Sequence, residues 1–149
     1  MNYSVFDIIG PTMIGPSSSH TAGAARIGYI ARSILGEDVL EVIFYLHGSF
    51  RKTYKGHGTD LAILAGVMEF LPDDEQIRDA FDIAKKRNIT YQYVETDLGD
   101  VHPNTVKVDM KGINGKKVSV MGSSIGGGKI QITRIGDVEV EFNGEYSTL

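Results

Sequence analysis

Serine, histidine and lysine side chains cluster in two glycine-containing segments, each placed directly before a predicted helix. The first is residues 15–21, Gly-Pro-Ser-Ser-Ser-His-Thr, where hydroxyl groups and free helix amides could bind a carboxylate or a phosphate. One serine would suffice to cap the helix, so three serines and a histidine favour a binding site. The second is residues 55–60, Lys-Gly-His-Gly-Thr-Asp, where the flanking glycines allow His57 to approach a ligand closely. From the residues alone, a solvated loop explains this second segment equally well.

Two further segments are polar and rich in turn-forming residues. Residues 102–104, His-Pro-Asn, are typical of a surface turn. Residues 122–129, Gly-Ser-Ser-Ile-Gly-Gly-Gly-Lys, could form an amide-lined anion site, although a plain connection between strands explains the glycines nearly as well. Ile130 follows Lys129, so the segment lacks the Gly-Lys-Ser/Thr ending of a nucleotide-binding P-loop, and it does not fit the dinucleotide-binding pattern either.

The sequence gives little support for a metal site or a reactive thiol within this chain. His20, His47, His57 and His102 lack the short spacing of a helix-borne zinc site, although distant histidines can still converge in a fold. His47, at the end of a predicted strand, is interpreted as structural. Cysteine is absent, which excludes disulfides, a catalytic thiol and an ordinary thiolate-held iron–sulfur cluster. Any soft-metal chemistry therefore requires a partner.

The composition is that of an ordinary globular domain of 149 residues, with 42% hydrophobic and 23% charged residues. The net charge is −4 and no basic run is longer than residues 85–87, which argues against nucleic acid as a partner. No apolar stretch approaches the length that spans a bilayer, and the N-terminus lacks the features of a secretory signal. We therefore expect a cytoplasmic protein that does not bind a membrane.

The elements predicted around these segments form a single α+β domain in which helices pack on a mixed sheet. Helices are predicted from the serines to Leu35, where Gly36 ends the first, and then over two further segments, 61–70 (capped by Thr59 or Asp60) and 75–87. A glycine-rich loop is predicted over residues 47–58. Strands are predicted at 39–46, 89–95, 105–110, 117–121, 129–135 and 138–142, with hairpin turns at Asn114-Gly115 and Gly136-Asp137.

The motifs occur in the order found in the beta chains of iron–sulfur L-serine dehydratases, which this sequence resembles over nearly its whole length. The matching segments are residues 4–11, 15–21, 48–50, 55–60, 102–104 and 124–128. The resemblance implies conversion of L-serine to pyruvate and ammonia without pyridoxal phosphate. It implies a [4Fe–4S] cluster held by cysteines of a partner alpha chain and acting as a Lewis acid on the substrate. It further implies one beta domain over residues 1–149, without the C-terminal ACT domain of many homologues, and similar in fold to the allosteric substrate-binding domain of phosphoglycerate dehydrogenases.

Residue roles also follow from the resemblance. His57 is expected to be the base that removes the α-proton, and Lys55 to add positive charge near the substrate carboxylate. Asn104 is expected beside the substrate, and the glycines of residues 126–128 to support the site or an interface. Asp60 is an alternative base, although its place at a helix start favours capping. The substrate-binding set is completed by Ser17, Ser18, Ser19, His20 and Thr21.

A second reading keeps the same motifs but no catalysis. The serine-rich helix start would also suit a module that senses serine or another small anion and regulates a catalytic partner. A base with access to a substrate carbon distinguishes the enzyme from the sensor, because an effector site needs none. The expected partners are the cluster-bearing alpha chain and L-serine, and homodimerisation is left open.

Overall fold

A six-stranded mixed sheet forms one layer of the molecule, whose computed structural model describes residues 19–55 and 58–143. The sheet order is β2-β1-β3-β4-β5-β6, in which β1 and β2 are parallel and every other neighbouring pair is antiparallel. The Asn114-Gly115 and Gly136-Asp137 turns join antiparallel neighbours, as predicted. The strands are β1 (Val39–Leu46), β2 (Thr90–Glu95), β3 (Thr105–Gly112), β4 (Lys117–Gly126), β5 (Lys129–Ile135) and β6 (Val138–Phe142).

Helices form the second layer, against one face of the sheet. Val42, Phe44 and Leu46 of β1 alternate with more exposed residues and belong to the core cluster that includes the helices. The predicted α+β domain is therefore confirmed. The predicted likeness to phosphoglycerate dehydrogenase domains stays a prediction. No helix in the described ranges is long and apolar enough to cross a membrane. The helices are α1 (Ser19–Leu35), α2 (Gly48–Thr53), α3 (Thr59–Val67) and α4 (Ala80–Lys86), with a 3₁₀ helix at Glu75–Asp79.

The loop predicted over residues 47–58 is wrong in its first half, where α2 lies. Phe50 of this helix is fully buried, so packing stabilises a short helix that local sequence preferences alone would not. Gly48 begins the helix at φ +60, against the backbone of Pro103. The predicted cap of the next helix is also wrong, because Gly58 occupies that position at φ +87. The helix α3 ends at Val67 rather than at the predicted Phe70. The strand β4 extends to Gly126, beyond its predicted end at residue 121.

Two glycines let α1 and α3 pack backbone to backbone. A Cβ atom at Gly28 would lie 2.5 Å from the carbonyl oxygen of Ile63, and one at Gly66 would collide with the carbonyl oxygen of Ala25. Since the starts of both helices are also close together, α1 and α3 run side by side in the same direction. Their amino-terminal ends therefore open at the same side of the domain.

Candidate functional site

The sheet topology brings three of the four predicted site segments to one edge. The carboxyl ends of the parallel strands β1 and β2 lie at this edge, together with the start of β3, which is antiparallel to β1. The end of β4 and the start of β5 meet there as well. The connections that follow or precede these strand ends, at residues 47–55, 102–104 and 126–129, therefore share this edge.

The starts of α1 and α3 lie at the same edge and touch each other. A Cβ atom at Gly58 would be 3.6 Å from the Cγ2 methyl of Thr21, and both Thr21 and Thr59 are buried. Because Thr21 is 3% exposed, it packs between the helix starts and its hydroxyl is not open to solvent. A helix start carries a partial positive charge, so two adjacent starts favour an anion.

The glycines of residues 126–128 form a hairpin turn beside α1. Gly127 and Gly128 both have positive φ (+63 and +78), as the two central residues of a type I′ turn require. These glycines therefore connect two neighbouring strands, and their role as an anion site stays a prediction. The turn is placed by close packing: a Cβ atom at Gly23 would overlap Ser124, and one at Gly128 would lie 3.8 Å from Ala22.

The turn at residues 102–104 is confirmed, and hydrogen bonds attach it to both neighbours. Pro103 accepts a hydrogen bond from the amide of Ser49 (2.8 Å), and Asn104 accepts one from the amide of Ser124 (2.9 Å). The His102 ring accepts the amide proton of Asn104 through Nδ1 at 3.0 Å. The backbone contacts of its neighbours thus fix the position of Asn104 at this edge of the sheet.

His47 has a structural contact, in agreement with its interpretation from sequence. Its Nδ1 accepts a hydrogen bond from the amide of Leu98 at 2.9 Å, which ties the end of β1 to the connection after β2. Within residues 19–55 and 58–143, no group of three or more histidine, aspartate or glutamate residues could hold a metal ion.

Asp60 lies in the first turn of α3 and is partly buried. Its Oδ1 accepts a hydrogen bond from the Leu61 amide at 2.8 Å, so the carboxylate does satisfy one free amide of the helix start. Burial raises the pKa of the Asp60 carboxyl above its ordinary 3.8, against the lowering effects of backbone hydrogen bonds and of the Lys55 charge. Lys55 is exposed, with its Nζ 5.8 Å from the ring centre of Tyr54.

The central residues of the predicted site lie outside the described residues. These are Ser17, Ser18 and His57, and only the backbone of Ser19 and His20 is described, as the first residues of α1. Their roles therefore stay predictions. The structure brings Thr21, Lys55, Asp60 and Asn104 to the same edge of the domain.

An aromatic cluster beneath this edge escaped the sequence analysis. The ring of Tyr93 in β2 stacks on Phe44 (centroids 5.2 Å apart) and on Tyr54 (5.5 Å). The Tyr93 hydroxyl donates a hydrogen bond to the carbonyl oxygen of Asp60 at 2.5 Å. The Tyr-x-Tyr alternation at residues 91–93 was a signal for one face of a strand, but it did not reveal what that face would contact.

An open cavity with a volume of about 560 Å³ lies away from this edge, on the sheet face opposite the helices. It contains none of the predicted site residues. Its lining includes Glu41, Ile43, Asp109, Lys111 and Ser119.

Comparison with known proteins gives one consistent result. The family model "Serine dehydratase beta chain" matches residues 4–134. The "L-serine dehydratase, beta chain" of Peptoniphilus asaccharolyticus is 49% identical over 149 residues, covering 99% of this chain and 67% of the relative. The "Probable L-serine dehydratase, beta chain" of Bacillus subtilis (strain 168) is 49% identical over 146 residues, covering 98% and 66% respectively. "L-serine dehydratase 2" of Escherichia coli (strain K12) is 48% identical over 82 residues, 50% of this chain and 17% of that protein. The chain thus spans about two thirds of the length of the two beta-chain relatives.

Proposed function

The chain belongs to the serine dehydratase beta chain family, and we propose that, with an alpha chain, it converts L-serine to pyruvate and ammonia. The observation that carries this proposal is the meeting of two helix starts with the 102–104 and 126–129 turns at one edge. The helix starts favour the substrate carboxylate, and the turns are held in place by hydrogen bonds and close packing. A site at an edge is also accessible to a second chain.

The carboxylate of L-serine would bind at the start of α1. Ser17, Ser18 and Ser19 would donate hydroxyl hydrogen bonds there, and His20 would lie beside them. The buried Thr21 would support them from behind, where it packs against Gly58. Lys55, which is exposed at the same edge, would add positive charge, and Asn104 would bind the substrate from the 102–104 turn.

Removal of the α-proton would fall to His57. An imidazole is suited to this step because its ordinary pKa, about 6.5, lies close to neutral pH. Asp60 is the alternative base, and the burial that raises the pKa of its carboxyl makes it a better proton acceptor than an exposed aspartate. Its Oδ1 already accepts the Leu61 amide, however, which favours the supporting role. The aminoacrylate that leaves the site would tautomerise and hydrolyse to pyruvate in water.

This chain lacks the ligands that would hold the [4Fe–4S] cluster of the proposal. The sequence contains no cysteine, and the described residues include no cluster of metal-binding side chains. Thiolates are the usual ligands of such clusters. The alpha chain would therefore hold the cluster, and this chain would supply substrate binding and the base.

The proposal is tested by anaerobic reconstitution of the chain with a cluster-loaded alpha chain, following pyruvate formed from L-serine. We expect activity only when both chains are present. Absence of activity with a properly loaded cluster, together with serine binding to this chain alone, would instead support the sensing module.

The role of His57 is tested in the same assay. We expect His57→Ala to lower turnover by a factor of about 10² or more, the usual effect of removing a general base, while the cluster absorbance persists. Lys52→Ala, which removes an exposed cation of α2, is the matched control and should retain turnover. Full activity of His57→Ala would exclude His57 as the base.

A further inference from the structure

Tyr93 contacts both ends of the segment that joins α2 to α3. Its ring stacks on Tyr54, the residue that ends α2, and its hydroxyl donates to the carbonyl oxygen of Asp60 in the first turn of α3. The two ends are also joined to each other, because the Asp60 amide donates to the Tyr54 carbonyl oxygen at 3.3 Å. A single side chain of the sheet thus holds the positions at which this segment begins and ends.

Tyr93 is also in contact with the core of the sheet. Its ring stacks on Phe44 of β1, a fully buried residue. In the pairing of β1 with β2, Phe44 and Tyr93 are directly opposite each other, so the sheet register places the two rings in contact. The positions of Tyr54 and Asp60 therefore depend on the sheet through Tyr93.

The helix start held by Tyr93 is one of the two that open at the candidate site. Gly58, which precedes Thr59 and Asp60, lies close to Thr21 of α1: a Cβ atom there would be 3.6 Å from the Thr21 Cγ2 methyl. Lys55 follows Tyr54 directly. A displacement of Tyr54 or Asp60 would thus move groups to which the proposed reaction assigns substrate binding and proton transfer.

We propose that Tyr93 is a positioning residue for serine dehydration, which acts through Tyr54 and Asp60 without touching the substrate. This inference rests on the proposed function. Tyr93 serves as a hydrogen-bond donor and not as a base: burial and the nearby Asp60 charge raise the pKa of its hydroxyl far above the ordinary 10.0. The hydroxyl therefore stays protonated at any working pH.

The test compares Tyr93→Phe with Tyr91→Phe in the enzyme assembled with its alpha chain. Both substitutions keep an aromatic ring on the same face of β2. The hydroxyl of Tyr91 makes no hydrogen bond to any residue in the described part of the chain, and its ring stacks on Phe81 instead. We expect Tyr93→Phe to lower kcat about tenfold or more and to change KM by a smaller factor, because misplacement of reacting groups lowers the rate more than binding. Tyr91→Phe should leave both within about twofold.

A second measurement separates positioning from a general loss of structure and does not depend on activity. In the isolated chain, we expect Tyr93→Phe to speed hydrogen exchange at the described amides of residues 54–61 while the amides of β1 and β3 keep their rates. Equal kcat for the two variants, or equal acceleration of exchange throughout the domain, would overturn the inference. An inactive wild-type assembly with a loaded cluster would refute the proposed function instead, and the exchange result would still show whether Tyr93 holds the segment.

Discussion

Two buried hydroxyl groups form a short hydrogen-bond chain that ends at the 102–104 turn. The side-chain oxygens of Thr105 and Ser123 are 2.7 Å apart, and the two residues are 0% and 4% exposed. Thr105 donates its hydroxyl proton to the carbonyl oxygen of His102, also at 2.7 Å. A hydroxyl has only one proton to donate, so Ser123 must be the donor to Thr105.

Thr105→Val keeps the shape of the side chain but removes both hydrogen bonds. Each bond contributes a net of about 0.5–1.5 kcal/mol, and the buried Ser123 hydroxyl would lose its acceptor, so we expect unfolding free energy to fall by about 1–3 kcal/mol. Ser123→Ala removes only one bond and should lower it by about 0.5–1.5 kcal/mol. The double variant leaves no buried donor without a partner. Its loss should therefore be smaller than the sum of the single losses, by about 1 kcal/mol.

Urea unfolding of the isolated chain, followed by circular dichroism, measures these differences. The dependence of unfolding free energy on urea should be the same in all variants, since the exposed surface does not change. Ser33→Ala is the matched control, because it removes an exposed hydroxyl of α1 that donates to the Tyr29 carbonyl oxygen, and should stay within about 0.5 kcal/mol of wild type. A loss below about 0.5 kcal/mol for Thr105→Val, or strict additivity in the double variant, would refute the stabilising hydrogen-bond chain.

Two other predictions concern the helix starts and their packing. Gly28→Ala should lower the free energy of unfolding by about 1–3 kcal/mol, although alanine favours helices, because its Cβ would press on the Ile63 carbonyl oxygen. Thermal unfolding measures this loss. An unchanged midpoint temperature would mean that α1 and α3 can separate at no cost. The raised pKa of Asp60 means that the folded state binds its proton more tightly than the unfolded state, so this group loses stabilising effect as pH rises from about its ordinary 3.8 through the folded value. Urea unfolding across that pH range measures the free energy of unfolding of Asp60→Asn minus that of wild type. This difference should increase with pH. A difference that stays constant or falls would contradict the raised pKa of Asp60.

Periodicity predicted the α1 helix and all six strands because each carries its own local signal. α1 ends where Gly36 adopts φ +78, and the β5–β6 hairpin turns at Gly136, φ +62, both positions that glycine favours. The α2 helix had no such signal. Its six residues are too few to be stable alone, and the buried contact of Phe50 that stabilises it depends on elements far away in the sequence.

The candidate site could be predicted as a set of segments but not as a place. Local composition singled out residues 15–21, 55–60, 102–104 and 122–129, and the last two of these adjoin strand ends. The segments share an edge because β1 pairs with β3 on one side and with β2 on the other. No local sequence pattern specifies this strand order. Tyr93 was missed for the same reason: its partners Tyr54 and Asp60 reach it only after β2 has paired with β1.

The arrangement of the sheet has a consequence for the order of folding. Strands β3 to β6 are neighbours in sequence and in space, so short turns close them at little entropic cost. The parallel pair β1 and β2 encloses residues 47–89, so its contacts form only after a long loop has closed, and such contacts are slow to form. We expect the antiparallel strands to assemble first and β2 to dock late. Because β2 carries Tyr93, the segment between α2 and α3 would be fixed only in this last step, and a chain caught before it would be largely folded yet without an ordered site.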